Sequence, residues 1–450
     1  MSYLTYQDFC AAGDRADFVR RAVAEHRTSS EYRIALDADE YDRQKNVTIS
    51  HFVKTILSGT GVPVIDVTAA NNRITSNFFR RLNTQRNTYS VGGGLSFADE
   101  TVKPKLGRDI DKRIRDAGYA ALIHGVSFLF WNFDRVYVFR LTEFKPLWDE
   151  ETNALRAGVR FWQAGTDKPV FAVLYEEDGY TKFKGDPNGE KFSEIQAKTP
   201  YRTRTYHVKA TGETTVIGGG NYGALPIVPL WGSELHQSTL VGMRESIDSY
   251  DLIRSGFAND LTDCAQIYWI IKNAGGMSDR DLAAFREKLL FRHIANVDGD
   301  EGDTVTPYTQ EIPFQARSAY LDRIRQGIYE DFGALDVTSI SSASKTATEI
   351  TAAYQPLDEN ADDFEYQIIE CIGGLLALQG VAGEKAVPQF KRNRIANQSE
   401  ETRTVILAAN YLDDETVLRH LPWLTVDEVA EILARRDAED QSRFTGGGNA

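Results

Sequence analysis

LPIVPLWGSELHQSTLVGMRESIDSYDLIRSGFANDLTDCAQIYWIIK, residues 225–272, decides how the chain is read. Pro226 and Pro229 keep the opening, Leu225 to Trp231, out of a helix. Beyond Ser238 the apolar positions are Leu240, Met243, Ile247, Tyr250, Ile253, Phe257, Leu261, Cys264, Tyr268 and Ile271. Every gap is three or four residues, so a single stripe predicts one helix over 238–272. Such a helix is roughly 50 Å long, against an ordinary length of about 11–12 residues. Ser238 is placed to cap its start and Gly275-Gly276 to end it. Ile247, Phe257 and Leu261 belong to the packing stripe. The other side carries Glu245, Asp248, Asp251, Asp260 and Asp263 against Arg244 and Arg254, a net acidic face.

Working outward toward the C-terminus, an acidic insert follows from Asn273 to Gln310. It holds a short helix, Ser278 to Leu290, a candidate strand, Phe291 to Val297, and the exposed acidic turn Asp298 to Asp303. A second amphipathic helix enters at Pro313 and ends at Phe332, with Leu321, Ile324, Ile328 and Phe332 on one face. A polar tract, Asp336-Val337-Thr338-Ser339-Ile340-Ser341-Ser342-Ala343-Ser344, leads into the capping box Thr346-Ala347-Thr348-Glu349 of a third helix. Helix, small module, helix, polar loop, helix is the order that organises the chain.

Toward the N-terminus, residues 5–60 read as helical, through Phe9, Ala12, Ala16, Val19 and Val23. The stretch Asn71 to Gly94 reads as a helix stopped by Gly92-Gly93-Gly94. Residues 119–231 switch to period two and predict β-hairpins, one turning at Glu176 to Gly179 and one at Ala210 to Glu213. Beyond Gly380 the chain is polar, with candidate helices at Glu400 to Leu412, Asp414 to His420 and Thr425 to Arg436 and a disordered tail. The fold class is α+β.

The 450 residues are enough for two to four cores. No run approaches the ~18 apolar residues of a membrane span, and no secretory signal is visible at Met1 to Asp8. Cys10, Cys264 and Cys371 are odd in number and far apart, so they read as reduced residues in a cytosolic setting. A net charge of −14 argues against gripping nucleic acid by its phosphates. Gly218-Gly219-Gly220-Asn221-Tyr222-Gly223 satisfies G-x-G-x-x-G, but the prolines at 226 and 229 bar the helix a nucleotide site needs, which leaves a flexible loop. Asp298 to Thr309 lacks the glycine and glutamate of a calcium loop. There is no P-loop, no H-E-x-x-H and no G-x-S-x-G. The pairs Asp248/Asp251 and Asp260/Asp263 have the spacing to face one ion each, but no histidine or third carboxylate completes either site. No catalytic constellation, cofactor site or metal site is expected.

Several segments, taken together and in order, resemble the portal proteins of tailed double-stranded DNA phages, in the long-tailed branch. They are Leu225-Pro226-Ile227-Val228-Pro229-Leu230, then Ser246-Ile247-Asp248-Ser249-Tyr250-Asp251, then Ser255-x-x-x-Asn259-Asp260. Glu31 to Tyr41, Asn87 to Gly93, Tyr268 to Gly276 and Lys345 to Glu349 agree as well. The resemblance implies a non-enzymatic ring of about twelve subunits at one vertex of the virion, assembled in the host cytoplasm. DNA would pass through its tunnel without sequence recognition. Its partners would be the terminase large subunit, the major capsid and scaffolding proteins and a head–tail adaptor, with no membrane and no cofactor.

Carried onto this chain, the resemblance implies a wing at 1–237, with its β-hairpins at 119–231, and stem helices at 238–272 and 311–332. The clip would be 273–310, the tunnel loop 333–344, a further wing helix 345–380 and a helical crown 381–450. The loop residues facing DNA would be Leu335, Asp336, Val337, Thr338, Ser339, Ile340, Ser341, Ser342 and Lys345. The stem would pack through Ile247, Phe257, Leu261, Ile324 and Ile328 and turn its acidic face, Glu245, Asp248, Asp251, Asp260 and Asp263, to the passage. Phosphates repel such a face, so duplex slides instead of binding. The alternatives are a metal-dependent nucleic-acid enzyme built on those aspartates, or another ring-forming head–tail virion protein.

Overall fold

Period-two alternation builds the centre of the molecule. Strands β6 (Phe144–Trp148), β7 (Leu155–Gln163), β8 (Val170–Glu176), β9 (Gly179–Gly185) and β10 (Phe192–Thr199) form one antiparallel sheet in the order β10-β9-β8-β7-β6. In β8, Ala172 and Leu174 point to one face and Val173 and Tyr175 to the other. The first face is covered by helices α1 (Tyr6–Ala11) and α2 (Arg15–Thr28), through Phe9, Phe18, Val19 and Val23. The second meets an aromatic layer, Phe128, Phe139 and Phe144, that belongs partly to a three-stranded sheet. That sheet has the order β13-β4-β5, from β4 (Val126–Asn132), β5 (Arg135–Arg140) and β13 (Ile227–Trp231). Its far face, with Leu129, Trp131 and Leu230, packs on helix α6 (Ile110–His124) and on the 31-residue helix α10 (Ala347–Ala377).

The computed structural model describes residues 4–53, 55–57, 62–65, 70–207, 214–263, 268–271, 278, 280–281, 305–308, 313–340, 347–381, 387–392, 405–409, 411–419, 421, 429 and 432–436. Within them the mixed α and β class holds. The hairpin β8–β9 turns at 176–179, and strands β11 (Arg202–His207) and β12 (Thr214–Gly220) pair antiparallel. Gly218 to Gly220 therefore lie in a strand and not in a loop. The expected helical start resolves into α1, α2, α3 (Ser30–Asp42) and α4 (Val47–Ser50), followed by a ribbon of β1 (Thr55–Leu57) and β2 (Pro63–Ile65). Helix α5 (Phe78–Val91) ends at the expected glycines. Helix α6 occupies the start of the region read as β-rich, because Ile110, Ile114, Ala117 and Ala121 share a helical face against the core.

The long first helix is shorter than its stripe. Helix α7 runs from Arg244 to Asp263, and Tyr268–Ile271 is a strand, β14, paired antiparallel with β15 (Val305–Tyr308). Tyr-Trp-Ile-Ile is a β-branched and aromatic run that favours a pleated surface, and its helical spacing is coincidental. At the other end Gly242 has φ +84°, a left-handed residue that no helix passes through. Ser238 is not a helix cap: its hydroxyl donates to the Ile123 carbonyl at 2.5 Å and accepts from the Leu240 amide at 3.1 Å. Helix α8 (Phe314–Phe332) begins after Pro313 as the sequence indicates. Ser278, Arg280 and Asp281 apart, the insert helix, the candidate strand 291–297 and the acidic turn 298–303 lie outside the described residues. Within the C-terminal region read as helical, Pro388–Phe390 is a strand, β16, paired antiparallel with β3 (Leu95–Phe97). Helix α11 (Asp414–Arg419) lies within one of the candidate helices there.

Candidate functional site

Helices α7 and α8 pack against each other in antiparallel sense. Ile247 lies near Ile328 at one end, and Phe257 meets Phe314 at 5.5 Å between ring centres at the other. Asp260 pairs with Arg317 across the two helices. The root of the pair is buried. Leu240, Met243, Ile247, Ile328, Tyr329 and Phe332 form one cluster with Ala38 and Tyr41 of α3 and Phe78, Phe79 and Leu82 of α5, with Ile324 at its edge. The Phe78 ring touches both Tyr250 and Tyr329 edge-on. Ile247, Ile328 and Ile324 are thus turned into this cluster, while Phe257 is half-buried against Phe314. Leu261 is 55% exposed.

The acidic face of α7 has a different purpose from the one its composition suggests. Asp251 is fully buried, accepting from Asn46 Nδ2 at 3.0 Å and from the Ser76 amide at 2.9 Å. Asp248 accepts from the Tyr41 hydroxyl and from Thr48 Oγ1 at 2.7 Å. One turn further on, Ser255 Oγ accepts from the Ile74 amide at 2.9 Å, and Asn259 Oδ1 accepts from the Asn72 amide. Residues 251, 255 and 259 therefore hold the amides of 76, 74 and 72. The match is geometric: four helical residues rise about 6.0 Å, and two extended residues span about 6.6 Å. A straight segment without a strand partner is thereby zipped along one helix, its amides satisfied by side chains. Desolvation raises the Asp251 pKa above the usual carboxylate value, opposed by its bonds from Asn46 and Ser76.

Of the acidic residues on α7, Glu245 is exposed, Asp260 is paired, and the Asp263 side chain lies outside the described residues. The oxygens of Asp248 and Asp251 are committed to protein donors and are not turned to a shared ion. Among the described residues, no group of three or more His, Cys, Asp or Glu is placed to hold a metal. On α8 the exposed charged side chains are Asp322, Arg323, Glu330 and Asp331.

The segment after α8 is fixed at its root. Gly333 takes φ +61° as the left-handed residue of the helix end, and the Ala334 amide returns to the Tyr329 carbonyl at 2.9 Å. Asn360 of α10 donates to the carbonyls of Phe332 and Gly333 at 3.0 and 3.3 Å. Gln85 of α5 donates to the Leu335 carbonyl at 2.9 Å and accepts from its amide at 3.1 Å. The Leu335 side chain is buried with Tyr89, Tyr354, Leu357 and Ala361, so it faces no passage. Asp336 receives Arg325 and the Thr338 amide, and one helical turn, α9 (Val337–Ile340), follows. Val337 and Thr338 are exposed. The side chains of Ser339 and Ile340, and all of Ser341, Ser342 and Lys345, lie outside the described residues. Spacing and periodicity did not disclose Gln85, Asn360 or Arg325; the zipper of Ser255 and Asn259 left one signal in the sequence, the Ser-x-x-x-Asn spacing.

The family model described as "Phage portal protein, SPP1 Gp6-like" matches residues 25–442. The portal protein of Clostridium phage phiCD119 is 23% identical over 404 residues, covering 84% of this chain and 89% of that protein. The portal protein of Bacillus phage SPP1 is 22% identical over 419 residues, covering 86% and 80%.

Proposed function

We propose that this chain, which belongs to the SPP1 Gp6-like phage portal protein family, is the subunit of a twelve-membered ring at one capsid vertex. The ring would be the channel for genome packaging and ejection. It would dock the terminase large subunit, the capsid and scaffolding proteins and the head–tail adaptor. The observation that carries the reading is the stem: two antiparallel helices joined through a small ribbon, rooted in a buried cluster, with large apolar side chains left outward. Leu252, Leu261, Phe314 and Tyr320 are all exposed, Phe314 at 59%. Neighbours in a ring would cover these side chains.

In this reading the wing is 1–237 with the helix of 345–380, the stem is α7 and α8, and the clip rises from the β14–β15 ribbon. The crown is 381–450 and includes the β16 strand. The tunnel loop comprises 333–344, of which the residues beyond Leu335 reach the passage. The acidic lining comes from Asp322 and Glu330 of α8. The geometry of Asp248 and Asp251 disfavours the metal-enzyme reading. Negative-stain microscopy and light scattering of the purified protein test the proposal. Rings with a central channel are expected, and a monomer that persists even with scaffolding and capsid protein present overturns it.

A further inference from the structure

We propose that Arg325 is a positioning residue for the 333–344 segment, a latch that holds its first helical turn, α9, back against α8. The function of this latch rests on the tunnel-loop reading above; its existence rests on geometry alone. Through Leu335 the segment is bound by a buried side chain and by both polar groups of one backbone residue, on Gln85. From Asp336 onward the anchoring changes in kind. A single Arg325 nitrogen donates to both Asp336 oxygens, at 2.8 and 3.1 Å, and to Thr338 Oγ1 at 2.9 Å. Asp336 in turn accepts from the Thr338 amide at 3.1 Å and from its hydroxyl at 2.8 Å, which starts the turn. The guanidinium is aimed by the Tyr329 ring, 5.7 Å below it.

This anchor is polar and wet: the Arg325 and Asp336 side chains keep 35% and 20% of their exposure. Val337, the first residue of the turn, is turned outward and does not add an apolar hold. The character of the anchoring therefore changes at Asp336, inside the segment and not at its glycine, from a buried side chain to a polar one. In the passage, a phosphate brought beside Arg325 is an acceptor of the same kind as the Asp336 carboxylate. Duplex charge then competes for the latch directly, and the resting position of α9 responds to what fills the channel.

Hydrogen exchange of the full chain, read at the amides of Leu335 and Thr338, tests this. Arg325→Gln is expected to speed exchange at Thr338 about five-fold, what a partly exposed ion pair supports, and to leave Leu335 unchanged. Raising sodium chloride from low to molar concentration is expected to speed Thr338 in the wild type and not in Arg325→Gln. Equal exchange at Thr338 in both proteins, or equal acceleration at Leu335, overturns the latch. Loss of salt dependence without a change in thermal unfolding separates positioning from simple destabilisation. Because exchange is read without DNA, a protein that shows the latch but never forms rings retains this inference while losing the portal reading.

Discussion

At Gly333 two requirements fall on one atom. Its φ of +61° is a left-handed conformation, and a Cβ there would sit 2.2 Å from Asn360 Nδ2, which caps the end of α8. Gly333→Ala is expected to cost about 1–3 kcal/mol through strain and a displaced cap, measured by urea unfolding. Gly256 and Gly327 lie inside α7 and α8 with open space where a Cβ would go. Alanine at either is expected to stabilise by roughly 0.5–1 kcal/mol; a loss at those positions would show that the stem helices are not fully helical in solution. His26 is the second residue whose effect has a definite sign. Its Nε2 donates to the Leu141 carbonyl at 2.7 Å, and burial pushes its pKa from 6.5 down to about 4. The unfolded chain then binds the proton first, so this contribution is complete above about pH 6.5 and is lost as pH falls toward 4. Up to about 3 kcal/mol is at stake. His26→Gln keeps a donor without the titration, and its stability is expected to fall less steeply over that window.

Among the elements, α7 shows most clearly what a sequence does and does not disclose. Its amphipathic period was legible, and so was its neighbour α8 with Pro313 at the start. The purpose of its polar side was not, because a helix stripe of Asp, Ser and Asn looks solvated until its partner, an extended segment 175 to 187 residues earlier, is in place. The same holds for Leu335, which the resemblance placed in the tunnel loop and which Tyr89 and Tyr354 bury. The strand at Tyr268–Ile271 was masked by apolar spacing that serves helix and strand alike. The zipper gives a graded expectation. Ser255→Ala removes the oxygen that holds the Ile74 amide and is expected to cost about 1 kcal/mol. Asp251→Ala leaves the Ser76 amide and Asn46 buried without an acceptor, about 2–3 kcal/mol. Each should speed exchange at residues 72–76 before the rest of α7 responds. Asp251 also sets a pH sign. Its raised pKa means that stability is greatest while the group is neutral and falls as pH rises through the folded value. Relative to the wild type, Asp251→Asn is therefore expected to gain stability as pH climbs from about 4 to 7; a parallel pair of curves would contradict it.

For the whole molecule, the sandwich of α1 and α2, two sheets, and α6 with α10 is closed on itself, while the stem is not. The α+β class and the helix–module–helix order were legible because each rests on local period. The layering was not, since β4 serves two cores at once, Phe128 to one side and Leu129 to the other. This asymmetry separates folding from assembly. Ile247 is buried at the stem root, and placing a carboxylate there strands a charge at a cost of several kcal/mol; Ile247→Asp is expected to unfold or aggregate. Leu252 and Leu261 are exposed on α7 and add little to the subunit's own core. Leu252→Asp and Leu261→Asp are therefore expected to keep the wild-type circular dichroism and unfolding midpoint, yet to abolish or sharply reduce rings by microscopy. The buried and exposed positions thus give opposite phenotypes from the same chemical change on one helix. Wild-type ring yield from both surface variants would place the subunit contact elsewhere on the molecule. A shared loss of fold would mean that these leucines belong to the monomer.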